Sequence, residues 1–402
     1  MFGSLISFDE ALQRVLAGVR PIERTDTLAV AEAHGRVAAK SVVSTIDVPS
    51  FDRSAMDGYA VRSVDLQRST AEAPVTLRCV DRVLTGQAPD RGLHSGECIE
   101  VATGAPLPAG ADAVVIVERT SRREDLVTTA APVAPGQNVG RRGADVTSGS
   151  LLVRAGDLLT PARLGALAAI GVTTIDVYAR PSVAIIVTGN EVVDPPRELP
   201  PGHVYDVNSF TLRAIVGRHG GGVTVLPTAV DDVGVLRDAL SAAAAHDLVV
   251  CSGGSSVGTR DLLVDAVNGI GDVVFHGIAM KPGKPTLFGS IGATPLFGLP
   301  GNPTSCLSNA YLLLVPFLRA SARLPAWRPT RVVLPLARAL ASPSDRHQFF
   351  TVRLVDGGVE PAFKSSGDIT SMAGADGFIE IPANSGEMPA GTPVTVTLFA
   401  SE

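Results

Sequence analysis

The sequence predicts a multidomain protein of α/β and β class. It places a doubly wound α/β domain in the second half, a β-rich insertion in the first half and a small β-barrel or sandwich at the end. Three observations carry this. From Pro181 onward, strand-like and helix-like runs alternate as β-α-β-α-β, the rhythm of a parallel sheet covered on both faces. Between residues 74 and 137, short β-type runs are separated by turns and helical periodicity is absent. After Trp327-Arg328-Pro329 the helical patterns disappear again, and β-type runs recur over about 70 residues.

Composition narrows the chemistry. A chain of 402 residues, 45% hydrophobic and only 4% aromatic, allows about two to four domains with large aliphatic cores. The net charge of -6 gives no general attraction to nucleic acid or to an anionic membrane, so an anion must be bound by a local site or through a metal. Cys79, Cys98, Cys251 and Cys306 are scattered and none falls in a C-x-x-C pair, which fits reduced thiols used as small core residues in a cytoplasmic protein. The start MFGSLISFDEALQRVL lacks the basic and long apolar regions of a signal peptide. No run approaches the ~18 apolar residues of a membrane span.

Taken in order, Ser7-Phe8-Asp9-Glu10 has the spacing of a capping box, with Ser7 as cap and Glu10 reaching back. Ala11, Leu12, Val15 and Leu16 continue the helix, which Gly18 to Pro21 end. Residues 28–33 read as a second short helix ended by His34-Gly35, and 37–49 as extended chain. The segment PSFDRSAMDGYAV is too polar for a core element, and Asp57-Gly58 reads locally as a tight turn before a strand at 59–61. VATGAPLP, from Val101, is a strand end followed by a stiff loop. NVGRRGAD, from Asn138, sets two arginines beside glycine, either as a solvated turn or as an anion contact. Thr160-Pro161 supplies an N-cap and an N1 proline for a helix over 162–170, between strands at 151–158 and 172–177.

In the α/β part, strands are expected at 183–187, 223–226, 248–251, 273–275, 287–289 and 296–298. Helices are expected at 208–219 with Asn208 as cap, at 233–245, after Asp261, and at 306–323. Such sheets bind ligands beyond the carboxyl ends of their strands. There the sequence puts its polar residues: Glu191, Asp231-Asp232, Ser252-Gly253-Gly254-Ser255-Ser256 with Asp261, Lys281 with Lys284, and Pro300-Gly301-Asn302-Pro303. Acidic residues, lysines and glycine loops gathered at one edge are harder to explain by packing than any one of them alone. Loop N–H groups with Lys281 and Lys284 suit an anion. Carboxylates repel a phosphate, so Glu191, Asp231 and Asp261 make most sense as Mg²⁺ ligands or water-mediated partners. No His/Cys cluster suits zinc, and no serine-hydrolase elbow, P-loop or dinucleotide fingerprint is present. The residues alone support a metal-assisted enzyme or binder of a phosphorylated small molecule, without naming that molecule.

Eight segments follow one another from Pro49 to Ser305: PSFDRSAMDGYAV, VATGAPLPAGADAVV, RRGAD, VTGNEV, YDVNSF, CSGGSSVGTRD, AMKPGKP and GLPGNPTS. In this the chain resembles the molybdopterin molybdenumtransferase family of MoeA type, relatives of the gephyrin E domain. With the capped first helix and the β-rich end, the resemblance covers effectively the whole chain. It implies four parts: a mixed elongated domain from 1–48 and 138–178, an inserted β-rich domain at 49–137, an α/β molybdopterin-binding domain at 179–327, and a C-terminal β-barrel domain at 328–402. It implies the last step of molybdenum cofactor synthesis, in which adenylated molybdopterin is bound, molybdate is inserted at the dithiolene sulfurs and AMP is released with Mg²⁺. It also implies an elongated homodimer, with transient contact to the adenylyltransferase and to acceptor molybdoenzymes.

Carried onto matching positions, the resemblance implies catalytic roles for Asp57, Thr103, Glu191, Asp231, Asp261 and Lys281. The Asp57-Gly58 turn thereby becomes part of a site, which in the family lies between the α/β domain of one subunit and the insert of its partner. Glu191, Asp231 and Asp261 would organise Mg²⁺, Lys281 and the loop amides would hold anionic oxygens, and Asp57 and Thr103 would position molybdate or the attacking water. Substrate contacts fall on Arg142, Asp145, Ser252, Gly253, Gly254, Ser255, Lys284, Pro300, Gly301, Asn302 and Pro303. One departure stands out: some members carry a basic residue four before the Lys281 position, where this chain has Gly277 preceded by His276, with Lys284 or Arg142 as substitutes. A molybdopterin adenylyltransferase-like enzyme, which would consume ATP, and a non-catalytic molybdopterin-binding scaffold are the alternatives.

Overall fold

The strand Ser182–Val187 sends Val183 and Ile185 into one hydrophobic core and Ala184 and Ile186 into another. Leu248–Ser252 repeats this, with Leu248 and Val250 on one side and Val249 and Cys251 on the other. Strands apolar on both faces need cover on both. In the computed structural model, which describes residues 5–254, 261–342 and 345–399, the helices Asn208–Arg218 and Pro303–Asn309 close the first core. Val233–Ala243 and Leu262–Val267 close the second. The expected helix over 306–323 runs on from Pro303–Asn309 through a π-helical turn, Ala310–Leu314, into Val315–Ser321.

The sheet order is Gly222–Val225, Ser182–Val187, Leu248–Ser252, Thr294–Leu299, Leu287–Ile291, Gly271–His276. The first four strands are parallel. Leu287–Ile291 is antiparallel to both neighbours, which corrects the expectation of a wholly parallel sheet. Its cause is local. Gly292, at φ +53°, and Ala293 form a two-residue connection that returns the chain directly, with no length for a crossover helix. Because only that strand is reversed, Gly271–His276 runs with the parallel four, and its carboxyl end joins theirs.

The chain divides into two compact units, one being Thr27–Val177 and the other the segments before and after it. The first helix, Phe8–Ala17, therefore belongs with the α/β unit, whereas residues 1–48 were expected to join 138–178. Its stripe of Ala11 and Val15 is buried in the first α/β core, and hydrophobic burial decides the attachment. Ser7 Oγ accepts from Glu10 N at 3.1 Å, but the Glu10 carboxylate pairs with Arg14 at 2.5 Å, so only half of the capping box forms.

Arg24 fixes the arm with two bonds to Asp247, at 2.7 and 2.8 Å, while Asp247 also accepts from Ser182 N and Oγ. The Arg24 guanidinium, with the Ser182 donors, holds the Asp247 carboxyl at about 2, against the burial that opposes it. The folded state thus favours the ionised form. Its contribution is complete above the unfolded pKa of about 3.9 and lost as pH falls through about 2. Discounted for the exposed Arg24, it amounts to about 1–2 kcal/mol. Asp247→Asn is expected to cost that much at pH 7, and denaturant titrations should show the difference closing between about pH 4 and 2.

Within the 27–177 unit, a sheet is ordered Ala113–Ile116, Gly58–Val61, Glu97–Val101, Val75–Val83, Leu126–Thr129, Thr120–Arg123. Its two faces carry separate cores, one around Tyr59, Leu77 and Cys98 and one around Ala60, Ile99 and Val114. A third core gathers Val30, Val153, Leu167 and Val177 beside the Pro161–Ala169 helix, which Thr160 caps. The short helix expected at 28–33 is instead a strand, Thr25–Ala29, followed by the 3-10 turn Val30–Glu32. Pairing with Thr174–Tyr178 overrides the local preference.

After Pro329 the strands Arg331–Pro335, His347–Val355, Gly358–Pro361, Gly377–Ile381 and Pro393–Leu398 form a curved sheet. A bridge from Leu336 to Val359 links its two sides in the barrel-like sense expected. This sheet also takes Met280–Lys281 as an outer strand, parallel to His347–Val355. Among the described residues no helix is long and apolar enough to cross a membrane.

Candidate active site

At the carboxyl edge of the α/β sheet, the end of Ser182–Val187 is tied to the neighbouring loop. Thr188 Oγ1 donates to Asp231 Oδ1 at 2.7 Å, Asn190 N approaches Asp231 Oδ2 at 3.4 Å, and Asp231 N donates back to Asn190 Oδ1 at 3.0 Å. This reciprocal clasp fixes the backbone that presents Glu191, whose side of the chain is exposed and whose carbonyl accepts from Val204 N. Two of the acidic positions expected at this edge are thus joined through Asn190.

Next to it, Ser252 is fully buried and receives a hydrogen bond from Asn208 Nδ2 at 2.8 Å. The same amide donates to Gly301 O at 2.8 Å, and Ser252 Oγ donates to Pro300 O at 3.3 Å. Asn208 therefore joins the two loops expected to hold the anion. It was expected as a helix cap, a task done instead by Asp206, which accepts from Ser209 N at 3.0 Å. Gly253, at φ +96°, sits so close to Thr188 that a methyl group on it would lie 2.3 Å from Thr188 O. Removing the Asn208 amide leaves the Gly301 carbonyl and Ser252 hydroxyl short of a buried partner. Asn208→Ala is expected to cost about 2 kcal/mol, read as a lowered thermal midpoint. Ser255, expected beside these residues, lies outside the described residues, as does all of 255–260.

The Asn302 end of the third loop opens the Pro303–Asn309 helix, with Pro303 at its first turn. Asn302 Nδ2 donates to Ser366 Oγ at 3.1 Å, and Thr304 N donates to Ser366 O at 3.1 Å. Asp261 caps the Leu262–Val267 helix through Val264 N, at 3.3 Å, and its other oxygen lies 2.9 Å from His276 Nε2. Lys281 is exposed on the outer strand Met280–Lys281, and Lys284 is half-buried three residues on. The turn between them is shaped by Gly283, at φ +111°, against the buried Asn309 amide, which donates to Gly283 O at 3.1 Å.

In the 27–177 unit, Asp57 Oδ1 accepts from Thr103 N at 2.7 Å and from Thr103 Oγ1 at 3.0 Å. These two donors hold the Asp57 carboxyl below the usual carboxylate range, so it stays ionised. Gly58 does not make a tight turn. It opens the buried strand Gly58–Val61, paired on both sides, and a side chain there would meet Val115 O at 2.0 Å. The RRGAD loop is knit onto the chain before it. Arg142 Nε donates to Asp47 at 2.6 Å and Arg142 N to Asp52 at 2.7 Å, while Asp145 is exposed. Arg142 thus has part of its guanidinium committed to a carboxylate.

The carboxylates expected to hold Mg²⁺ are Glu191, Asp231 and Asp261. Among the described residues no three His, Cys, Asp or Glu side chains gather as a metal-holding group. Mg²⁺ commonly takes one or two carboxylates and completes its shell with water and substrate phosphate. Of the three, Glu191 is exposed, Asp231 is bonded to Thr188 and Asn190, and Asp261 to Val264 N and His276.

Three family models match in order. Residues 6–171 match the MoeA N-terminal region (domain I and II), 184–320 the "Probable molybdopterin binding domain", and 333–399 the MoeA C-terminal region (domain IV). The chain belongs to the MoeA family. Among curated relatives of this MoeA chain, molybdopterin molybdenumtransferase 2 of Mycobacterium tuberculosis is 36% identical over 96% of the chain and 97% of the relative. The molybdopterin molybdenumtransferase of Haemophilus influenzae is 32% identical over 98% of the chain and 99% of the relative. A solved molybdopterin biosynthesis MoeA protein from Pyrococcus horikosii is 38% identical, covers 99% of this chain and 100% of its own, and superposes with a TM-score of 0.87. Sequence reasoning about this MoeA chain missed three residues at the sheet edge: Asn208, the pairing of His276 with Asp261, and Ser366 over Asn302. His276 left a signal as the neighbour of a missing basic residue and Asn208 as part of the segment YDVNSF, whereas Ser366 left none.

Proposed function

We propose that this chain inserts molybdenum from molybdate into adenylated molybdopterin, releasing AMP and giving molybdenum cofactor. The observation that carries this reading is the full-length match to proteins named molybdopterin molybdenumtransferase. The site geometry agrees with it: N–H-rich loops at the ends of parallel strands receive the phosphates, and Lys281 and Lys284 add positive charge. Asp57, ionised and held by Thr103 at one oxygen, orients water or molybdate through the other. Glu191, Asp231 and Asp261 are the residues that would hold Mg²⁺, which when bound neutralises phosphate charge. The reaction takes place in the cytoplasm, on a homodimer.

The test is to mix the purified protein with adenylated molybdopterin, Mg²⁺ and molybdate and to follow AMP. Molybdate-dependent release is expected, and its absence would end the enzyme reading. Omitting Mg²⁺ is expected to stop release. Co-expressing Asp57→Ala with Asp261→Ala, each inactive alone, is expected to restore about a quarter of the activity, as a C₂ dimer with sites drawing on two copies requires. No recovery would remove the homodimer from the proposal.

A further inference from the structure

Cys79 and Cys98 are direct partners across two adjacent parallel strands, Val75–Val83 and Glu97–Val101. Both side chains enter the same core, around Tyr59, Leu77 and Val127. Neighbouring strands lie about 4.8 Å apart, and a disulfide needs its Cα atoms about 4.4–6.8 Å apart, so in-register partners on one face meet the requirement. The register slips directly after Cys79, where Val80 is the extra residue, and a bulge bends that strand and increases its twist beside the cysteine. Cys79 is partly exposed, and its thiol approaches Asp81 O at 3.6 Å, while Cys98 is fully buried. The Arg122 guanidinium stands within electrostatic reach of Cys79. Burial, together with the Cys79 sulfur beside it, pushes the Cys98 thiol up to about 12, so Cys98 is not the sulfur that reacts first. The other two cysteines make an internal contrast. Cys251 and Cys306 are both fully buried and enter opposite faces of the α/β sheet.

We propose that Cys79 and Cys98 form a reversible thiol–disulfide site, oxidised by a peroxide, with Cys79 as the attacking and Cys98 as the resolving sulfur. The Cys79 sulfur attacks one peroxide oxygen, the O–O bond breaks, and one water leaves with a sulfenic acid on Cys79. The Cys98 sulfur then attacks the Cys79 sulfur, the S–O bond breaks, and a second water carries away the Cys98 proton. Two thiols and one hydrogen peroxide give one disulfide and two waters: the sulfurs lose two electrons and the peroxide gains them. Contact across the strand pair gives the second step the advantage of an intramolecular reaction, which offsets the weak acidity of Cys98.

The native protein, treated with hydrogen peroxide, is expected to fall from four titratable thiols to two on subsequent unfolding. Its intact mass should drop by about 2 Da, with recovery by dithiothreitol. A Cys79–Cys98 peptide is expected in the digest. Cys98→Ala should leave a sulfenic acid on Cys79 that a dimedone probe captures, and the Cys251→Ala/Cys306→Ala double variant should still form the bond. Four surviving thiols at a peroxide dose that oxidises N-acetylcysteine would overturn the proposal. So would a bridge to Cys251 or Cys306, or a bridge between chains.

Discussion

Asp57→Ala is expected to lower molybdate-dependent AMP release by about 10²–10³-fold while leaving the thermal midpoint nearly unchanged. The asymmetry follows from where Asp57 sits. Its side chain is exposed, so its removal opens no cavity, and the strand that follows it is held by backbone pairing on both sides. What disappears is an ionised carboxylate whose position is set by Thr103 N and Thr103 Oγ1. The intermediate variants order the effect. Asp57→Asn keeps an oxygen acceptor for Thr103 but loses the charge, and is expected to retain little activity. Thr103→Val loses one donor while the Thr103 N–H remains, and is expected to lose only about tenfold. Activity in Asp57→Ala within a factor of three of the parent would remove Asp57 from the mechanism.

Gly58→Ala, one residue on, is expected to do the reverse and act on the fold. The added methyl group would lie 2.0 Å from Val115 O and 2.9 Å from Val115 C, both backbone atoms of a paired strand. Neither can step aside without breaking the register from Gly58–Ile116 to Val61–Ala113. The strand lies inside the sheet, next to its edge strand Ala113–Ile116, and is buried along its whole length, so there is no solvent side to swing toward. A cost above about 4 kcal/mol is expected, enough to lower the midpoint of the 27–177 unit by about 10 °C or to leave it unfolded. Limited proteolysis checks it: cleavage should appear within 27–177 while the α/β unit resists. A variant that melts like the parent would show that the sheet can open at Val115 at little cost.

These neighbours also show what was legible in the chain. The α/β sheet was readable because doubly buried strands are apolar throughout and their loops are not. Polar residues at strand ends therefore marked the edge before any geometry was known. The reversed strand had a local sign, Gly292 between two β-type runs, but a two-residue turn inside an otherwise βαβ pattern is easily read as a break. Asp57-Gly58 was misread locally because glycine after aspartate favours turns. Here glycine is needed for the close approach of a neighbouring strand instead. Asn208 was misread because asparagine before a helix caps by habit, and nothing local reveals that its amide reaches 44 residues to Ser252 and 93 to Gly301. The same holds for Ser366, 64 residues from Asn302. The first helix advertised an apolar stripe, but a stripe does not say which core will take it.

The strand Met280–Lys281 pairs with His347–Val355, and Ser366 meets the start of the helix at Pro303. The last 70 or so residues are thus not a detachable module, although their own sheet has a core of its own. A chimera that exchanges them at residue 328 for the corresponding part of a relative would leave the Lys281 edge paired to a foreign strand. It would also give the Asn302 end of the helix a foreign neighbour. Recombination at this boundary would therefore act on the lysine loop from outside it. A graft that respects the site must carry residues 279–284 across with the C-terminal sheet.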